Sequence, residues 1–439
     1  MNLQGHPLLR TDSYGKIFLY CTHTDCACVP RHRIRLSEPV KPDLLLQAVK
    51  DSLLRFPFMI VGIEATDTQY VYRLLAEDPV VLPFDGCSTR YAIGSPDTHG
   101  YLFLVGFHGN EIFMEYQHSI SDGRGFEEFI RCVLFTYLRL CGHPVENDGT
   151  IRTLDSIYTF EENEDAYQHL DREYSSKGIY QKPEALHADE LSDLGDAPEI
   201  VTEITFPFQQ LREAAHRYHV SPLTILSPLF CRAFYSKFGH GSEKPVIAQI
   251  PVDLRPYVPS VTSRYFICFV DLPYEASYES LPLEQVFQKT KAFLDEQIEP
   301  EKLLYRAKAA SDACLNLHNE NIPLAEKEKR ASEMIHNFVH ADSFIITNVG
   351  AFKLPPSMHP YVLDYGAVLP SASQPYGLLI SSYNGKMKLS VAQHDHDLQV
   401  CSTMVRLLSE IGVQAHTNSY PFVVTRFSGQ EACRKPFTL

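Results

Sequence analysis

Glu111–Leu140 reads EIFMEYQHSISDGRGFEEFIRCVLFTYLRL. Ile112, Met114 and Tyr116 alternate with Phe113, Glu115 and Gln117, the period of two that a pleated strand imposes. Further on, Phe126, Phe129, Ile130, Val133, Leu134, Tyr137 and Leu138 recur at three- and four-residue steps and form one apolar helical face. Between strand and helix stands His118-Ser-Ile-Ser-Asp122-Gly123-Arg-Gly125. A histidine at a strand end is placed to act as a base. An aspartate four residues on can fold back through a glycine turn, and the helix fixes the corner.

Upstream, Tyr101–Phe107 pairs with Glu111–Gln117 as a hairpin around His108-Gly109-Asn110. Residues 12–37 read as extended segments, Gly15–Cys21 and then His32–Leu36. A helix follows over Lys41–Leu54 with Pro42 in its first turn and Leu45, Val49 and Leu53 facing a core. Phe58–Ile63 and Tyr70–Leu75 read as a strand pair.

Downstream, residues 142–200 turn polar, acidic and poorly periodic, which marks a linker. The second half reads as strand Glu199–Phe206, a helix over 208–218, and a helix opened by Ser221-Pro222. Strands Pro245–Pro251 and Tyr265–Leu272 come next, then helices over 282–297, 300–318 and 322–340. Strand Ser343–Thr347 leads into a turn at Asn348-Val349-Gly350. A hairpin, Gly377–Tyr383 with Lys386–Gln393, closes at Asn384-Gly385, and a helix over 398–412 ends the pattern. The halves echo each other: hairpin, Gln117-His118, helix; then hairpin, Gln393-His394, helix. The second copy has no Asp-Gly-x-Gly turn, so His394 reads as a vestigial counterpart.

The 439 residues carry 44% hydrophobic and 21% charged side chains, the composition of a soluble globular protein with more than one core. The expected division is 1–160, a linker over 161–198, and 199–439. A net charge of −15 argues against nucleic-acid binding, which needs clustered Lys and Arg. There is no signal-like N-terminal apolar run, and the apolar stretch around Phe56–Ile63 is too short to span a bilayer, so a cytoplasmic protein is expected. His23, Cys26, Cys28 and His32 invite a zinc reading. Their Cys-x-Cys spacing is tight and no second pair follows, so they are read as ordinary strand residues and no metal is expected.

His118-x-x-x-Asp122-Gly123 resembles the active-site motif of the chloramphenicol acetyltransferase-like superfamily, which includes condensation domains, plant acyltransferases, wax ester synthases and alcohol acetyltransferases. That motif usually carries two histidines; here Gln117 takes the first place. Ile250-Pro-Val-Asp-Leu-Arg255-Pro resembles the PV-x-x-R segment of alcohol acetyltransferases and wax synthases. Thr347-Asn348-Val349-Gly350, followed by Pro355, resembles their SN-x-G segment. The resemblance spans nearly the whole chain and is nearest the alcohol acetyltransferase branch.

It implies an α/β (α+β) fold of two acetyltransferase-like subdomains, each a mixed sheet flanked by helices, with an active-site channel between them. It also implies that His118 is the catalytic base and that Asp122 is structural, paired with Arg255, with Gly123 letting the backbone turn. Thr347 or Asn348 would contact the oxyanion or substrate. Direct attack is expected: Ser119 and Ser121 stand in no G-x-S-x-G context. The implied partners are acyl-CoA as cosubstrate and a small alcohol or amine, with no metal or redox cofactor and a monomeric chain. A stand-alone condensation-type domain using an acyl group on a free carrier protein is the alternative. A non-catalytic binding protein of the same fold is a third reading.

Overall fold

The hairpin Phe103–His108 and Glu111–Tyr116 pairs Phe103 with Tyr116 and His108 with Glu111, and closes over Gly109-Asn110 with Gly109 at φ +56°. It sits inside a five-stranded mixed sheet ordered Val362–Val368, Arg31–Leu36, Glu111–Tyr116, Phe103–His108, Val81–Pro83. This computed structural model describes residues 9–20, 29–85, 91–188, 198–339, 341–371 and 374–427. His23, Cys26 and Cys28 lie outside them.

The second sheet has seven strands, ordered Ile267–Tyr274, Val246–Asp253, Phe344–Ala351, Tyr376–Tyr383, Lys386–Gln393, Glu199–Pro207, His416–Phe422. Phe344–Ala351 runs parallel to both neighbours, and the rest of the sheet is antiparallel. Asn384 and Gly385 take positive φ, 45° and 76°, which lets a two-residue hairpin turn match the strand twist. The fold is therefore α/β with two mixed sheets flanked by helices. Among the described residues no helix is long and apolar enough to cross a membrane.

The helix Gly123–Leu140 buries its whole predicted face, Phe126 to Leu138, and packs on Pro42–Arg55. Phe129 meets Phe56 edge-on, ring centroids 5.6 Å apart. Both helices cover the first sheet and hold the corner at residues 117–122 from behind.

Three local expectations change. Lys16–Tyr20 is a short helix, not an extended segment. The cause lies just before it: the Asp12 carbonyl accepts from Lys16 N–H and its carboxylate from Gly15 N–H, which nucleates a turn. Asn348-Val349-Gly350 does not end its strand. It forms a bulge within Phe344–Ala351: the register shifts between Asn348 and Gly350, Gly350 takes φ +83°, and Asn348 Oδ1 accepts from Gly350 N–H at 2.9 Å. The side-chain bond that makes a turn signal here serves the bulge.

The third is a strand the sequence hides. Val362–Val368 comes from the C-terminal half but pairs antiparallel with Arg31–Leu36 in the first sheet. Asp364 and Gly366 dilute its apolar alternation. Gly366 has a packing reason, since a Cβ there would lie 2.9 Å from Lys388 Nζ. Lys388 itself reaches Asp364 at 3.0 Å, and Arg33 reaches Glu203 at 2.9 Å, so charges from each sheet pair with the other. The stretch 161–188 is packed as a strap: Ala166, Tyr167, Leu170 and Leu186 are buried, and Leu186 N–H bonds Pro245 O at 2.7 Å.

Candidate active site

Residues 117–122 are held on every side. Gln117 N–H bonds Leu102 O, and the Tyr72 hydroxyl donates to Ser119 O at 2.7 Å. Arg264, fully buried, donates to Ile120 O, and the Ser121 hydroxyl donates to Ser263 O at 2.6 Å. Gln117 takes a clear part. Its Nε2 donates to Phe18 O at 2.6 Å and its Oε1 accepts from Ser119 N–H at 2.7 Å. The glutamine that replaces the first motif histidine thus clips the loop to the N-terminal helix.

Asp122 is extended and caps the helix Gly123–Leu140 through Gly125 N–H, 2.8 Å from Oδ1. Its Oδ2 accepts from Phe266 N–H at 3.0 Å and from Arg255 Nη1 at 2.8 Å. Arg255 spends its other donors on Asp253 Oδ1, Thr262 O and Arg264 O. Both side chains are nearly sealed, 4% and 6% exposed. Asp253 also pairs with Arg124 on the helix's first turn. The pair therefore bolts the start of the helix to the second half of the chain. At Gly125 a Cβ would sit 2.1 Å from Ser263 O, so that bolt closes only over a glycine.

His118 is half-buried. Its ring meets Phe18, Tyr116 and Tyr265, at centroid distances of 5.2, 5.2 and 5.5 Å. Nδ1 lies 3.2 Å from Ser121 O. A carbonyl only accepts, so Nδ1 carries the proton and Nε2 keeps its lone pair. Burial pushes the imidazole pKa down to about 4, against the opposing pull of the Ser121 carbonyl and the Asp122 charge. His118 is neutral at neutral pH.

His118 lines a cavity of about 690 Å³ between the two halves. Tyr14, Phe18, Tyr116, Gly123 and Glu127 contribute from one side, and Gln249, Asp253, Tyr265, Phe269 and Thr347 to Gly350 from the other. The structure brings all the predicted residues to this cavity: His118, Asp122, Gly123, Arg255, Thr347 and Asn348. Gly123 lets the helix start lie close to the facing wall, since a Cβ there would be 3.1 Å from Val349 Cγ1. Asn348 Oδ1 accepts from Gly350 N–H, so what Asn348 and Thr347 can donate to a substrate is the amide nitrogen of the one and the hydroxyl of the other.

At this cavity the sequence reading gave no role to Arg124 or Glu127, and it took His32 for an ordinary strand residue. Glu127 interrupts the helix's apolar face, the one signal that pointed to it. Burial pushes its carboxyl up to about 8. His394 takes no place at the cavity. Its Nε2 is 3.2 Å from Glu199, while the adjoining Asp395 and Asp397 hold Lys237. Among the described residues no group of three or more His, Cys, Asp or Glu side chains is set to hold a metal ion.

Structural comparison places this architecture among known ones. Over 91% of this chain and 97% of the other, it superposes on polyketide synthase associated protein 5 from Mycobacterium tuberculosis, with a TM-score of 0.60 at 13% identity. TRI101 of F. sporotrichioides, complexed with coenzyme A and T-2, aligns over 93% of this chain and 99% of its own, with a TM-score of 0.58 at 13% identity. This chain shares with both a fold of two mixed sheets flanked by helices. The starter condensation domain of rhizomide synthetase RzmA, a mutant in complex with C8-CoA, has it too: TM-score 0.56, 12% identity, 91% of this chain and 93% of that one. No protein-family model matches the sequence, and no curated protein matches it either.

Proposed function

We propose that this chain is an acyltransferase that moves an acyl group from a CoA thioester to an alcohol or amine. One observation carries the reading. His118, neutral and protonated on Nδ1 by its bond to Ser121 O, offers a bare Nε2 to a cavity open to both halves. In the proposed step Nε2 takes the proton of the acceptor hydroxyl or amine as its heteroatom attacks the thioester carbonyl. The C–S bond of the tetrahedral intermediate then breaks, and the proton passes to the leaving thiolate. The Thr347 hydroxyl, on the facing wall, donates to the oxyanion. Asp122 does no chemistry in this scheme; each of its oxygens is occupied by Gly125, Phe266 or Arg255. Two of the similar structures were determined with coenzyme A or a CoA thioester, which supports CoA over a carrier-bound donor.

The test is release of free thiol from a panel of acyl-CoAs offered pooled alcohols and amines, with His118→Ala as control. Thiol release that depends on acceptor and falls about 10²–10⁴-fold in the variant is expected. Equal release by both proteins overturns the catalytic role. Release only from an acyl-carrier thioester moves the donor to the carrier-dependent reading, and transfer to amines alone makes the enzyme an N-acyltransferase.

A further inference from the structure

The charged side chains that line the cavity pair off among themselves, with one exception on each wall. Asp122 holds Arg255, Asp253 holds both Arg255 and Arg124, and Glu128 holds Arg131. Among the described residues, Lys353 and Glu127 are left without an ion pair. Lys353 is exposed, so water solvates it. Glu127 is only 7% exposed, and it stands one helical turn past Gly123, about 6 Å further along the helix axis. Its Oε1 is 2.8 Å from the Tyr365 hydroxyl. Its Oε2 has no hydrogen-bond partner among the described residues and is not sealed, in a side chain that lines the cavity.

A buried carboxyl with no cation beside it is costly to ionise, and burial pushes this one up to about 8. The Tyr365 hydroxyl on the crossing strand, and Arg131 and Arg124 on the same helix, oppose that shift; Glu128 adds to it. Behind Tyr365 stand His32 on the strand Arg31–Leu36 and Tyr116 on the hairpin. Across the cavity Asp253 and Arg255 are already paired with each other. A cation brought to Oε2 reverses the balance. The carboxyl becomes a carboxylate, the displaced proton leaves to solvent, and Tyr365 donates to Oε1. Both oxygens then accept, so the occupied site has one sense whichever way the hydroxyl points in the empty one. At neutral pH the carboxylate form is about tenfold rarer than the acid, a small barrier for a charge-assisted hydrogen bond out of water.

Only the acceptor can bring that cation, since an acyl-CoA carries negative phosphates and a neutral acyl chain. We propose that Glu127 is a specificity determinant that takes an ammonium group of the acyl acceptor, so that the acceptor is an amino alcohol or a diamine. The inference rests on the reading of His118 as the base. One heteroatom of the acceptor gives its proton to His118, and a second, protonated nitrogen, set off along the molecule, pairs with Glu127.

The experiment pairs an accepted acyl-CoA with ω-(dimethylamino)alkanols, from the ethanol to the hexanol, assayed just above the Glu127 midpoint. Their nitrogen is protonated there and forms no stable amide. Each is run against its neutral isostere, the branched alkanol with CH in place of the N–H. One length is expected to exceed its isostere by at least about tenfold in kcat/KM. Glu127→Gln keeps the shape and loses the charge, and should bring that ratio to about one. Glu127→Asp keeps the charge on a shorter arm; it should retain a ratio above one and move the favoured length toward the longer homologue. In wild type, kcat/KM for the favoured cation should climb about tenfold per pH unit up to about 8 and then level, because the carboxylate is the form that binds it. The isostere should show no such limb, and neither should Glu127→Gln. The wild-type profile and Glu127→Asp carry the test if the glutamine variant fails to fold.

A ratio near one at every length, a ratio unchanged in Glu127→Gln, or the same acid limb in that variant overturns the proposal and leaves Glu127 as a buried acid that only holds Tyr365. Isostere-dependent thiol release lost in His118→Ala reports on the catalytic reading separately. If no acceptor is turned over, calorimetric titration of the same cations at neutral pH decides, run in two buffers of different ionisation enthalpy. Release of about one proton per cation bound to wild type, and none with Glu127→Gln, supports the site. Binding without proton release, or no binding at any length, overturns it.

Discussion

At the scale of single residues, the site depends on which atoms are already occupied. His118 has one nitrogen tied and one free, and Asp122 has no oxygen left to offer. A base works only when unprotonated. With its pKa near 4 instead of the ordinary 6.5, His118 stays unprotonated, and so competent in the proposed step, as pH falls through the usual histidine range. We expect kcat/KM to be flat on either side of 6.5 and to drop only toward 4; a stopped assay across a pH series checks this, and an acid limb near 6.5 assigns the proton to another group. Asp122→Ala should act differently from His118→Ala. It strands the sealed Arg255 charge and removes a helix cap, so it should lower unfolding stability by about 3–5 kcal/mol, read as a shifted urea midpoint. His118→Ala should leave that midpoint nearly in place.

At the scale of elements, the glycines of the turn have separate tasks. Gly125→Ala drives a Cβ to 2.1 Å from Ser263 O and 2.5 Å from Ser121 Oγ, so the helix must back away from the second half. A loss of about 1–3 kcal/mol with a fall in activity is expected. Gly123→Ala meets Val349 Cγ1 at 3.1 Å and Tyr116 Oη at 3.7 Å, no backbone atom, and should cost less; paired melts of the two variants measure the difference. Hairpins and amphipathic helices were legible in the sequence because their periods survive in the residues themselves. The strand His416–Phe422 was not, since all but its last residue is at least partly exposed and nothing alternates. The Lys16–Tyr20 helix was hidden because five residues are too few for a period and its cap precedes it. At the site, the juxtaposition of Asp122 and Arg255 came from two short resemblances, and no periodicity pointed to it. Glu127 had no signal beyond a polar residue on an apolar helix face, and nothing tied His32, set between Arg31 and Arg33, to it, because what joins them is a tyrosine far along the chain.

At the scale of the whole molecule, the two halves are stitched together. The crossing strand Val362–Val368 completes the first sheet, and the Arg33–Glu203 and Lys388–Asp364 pairs join the sheets face to face. Thermal unfolding should therefore be a single transition. A fragment ending at residue 188 would leave Arg31–Leu36 as a bare sheet edge, so it should be recovered as aggregate and not as a folded half; size-exclusion chromatography and circular dichroism of the fragment check this. The same strand also sets a schedule. Synthesis runs from the first half to the second at about 5–20 residues per second, so Arg31–Leu36 waits on the order of tens of seconds for its outer partner to leave the ribosome. During that interval the growing chain carries an open, apolar-backed edge, and the corner at residues 117–122 stands without the arginine that bolts it down. The corner is thus completed late, and the span between those two strands is the interval in which a nascent chain is most open to wrong pairing.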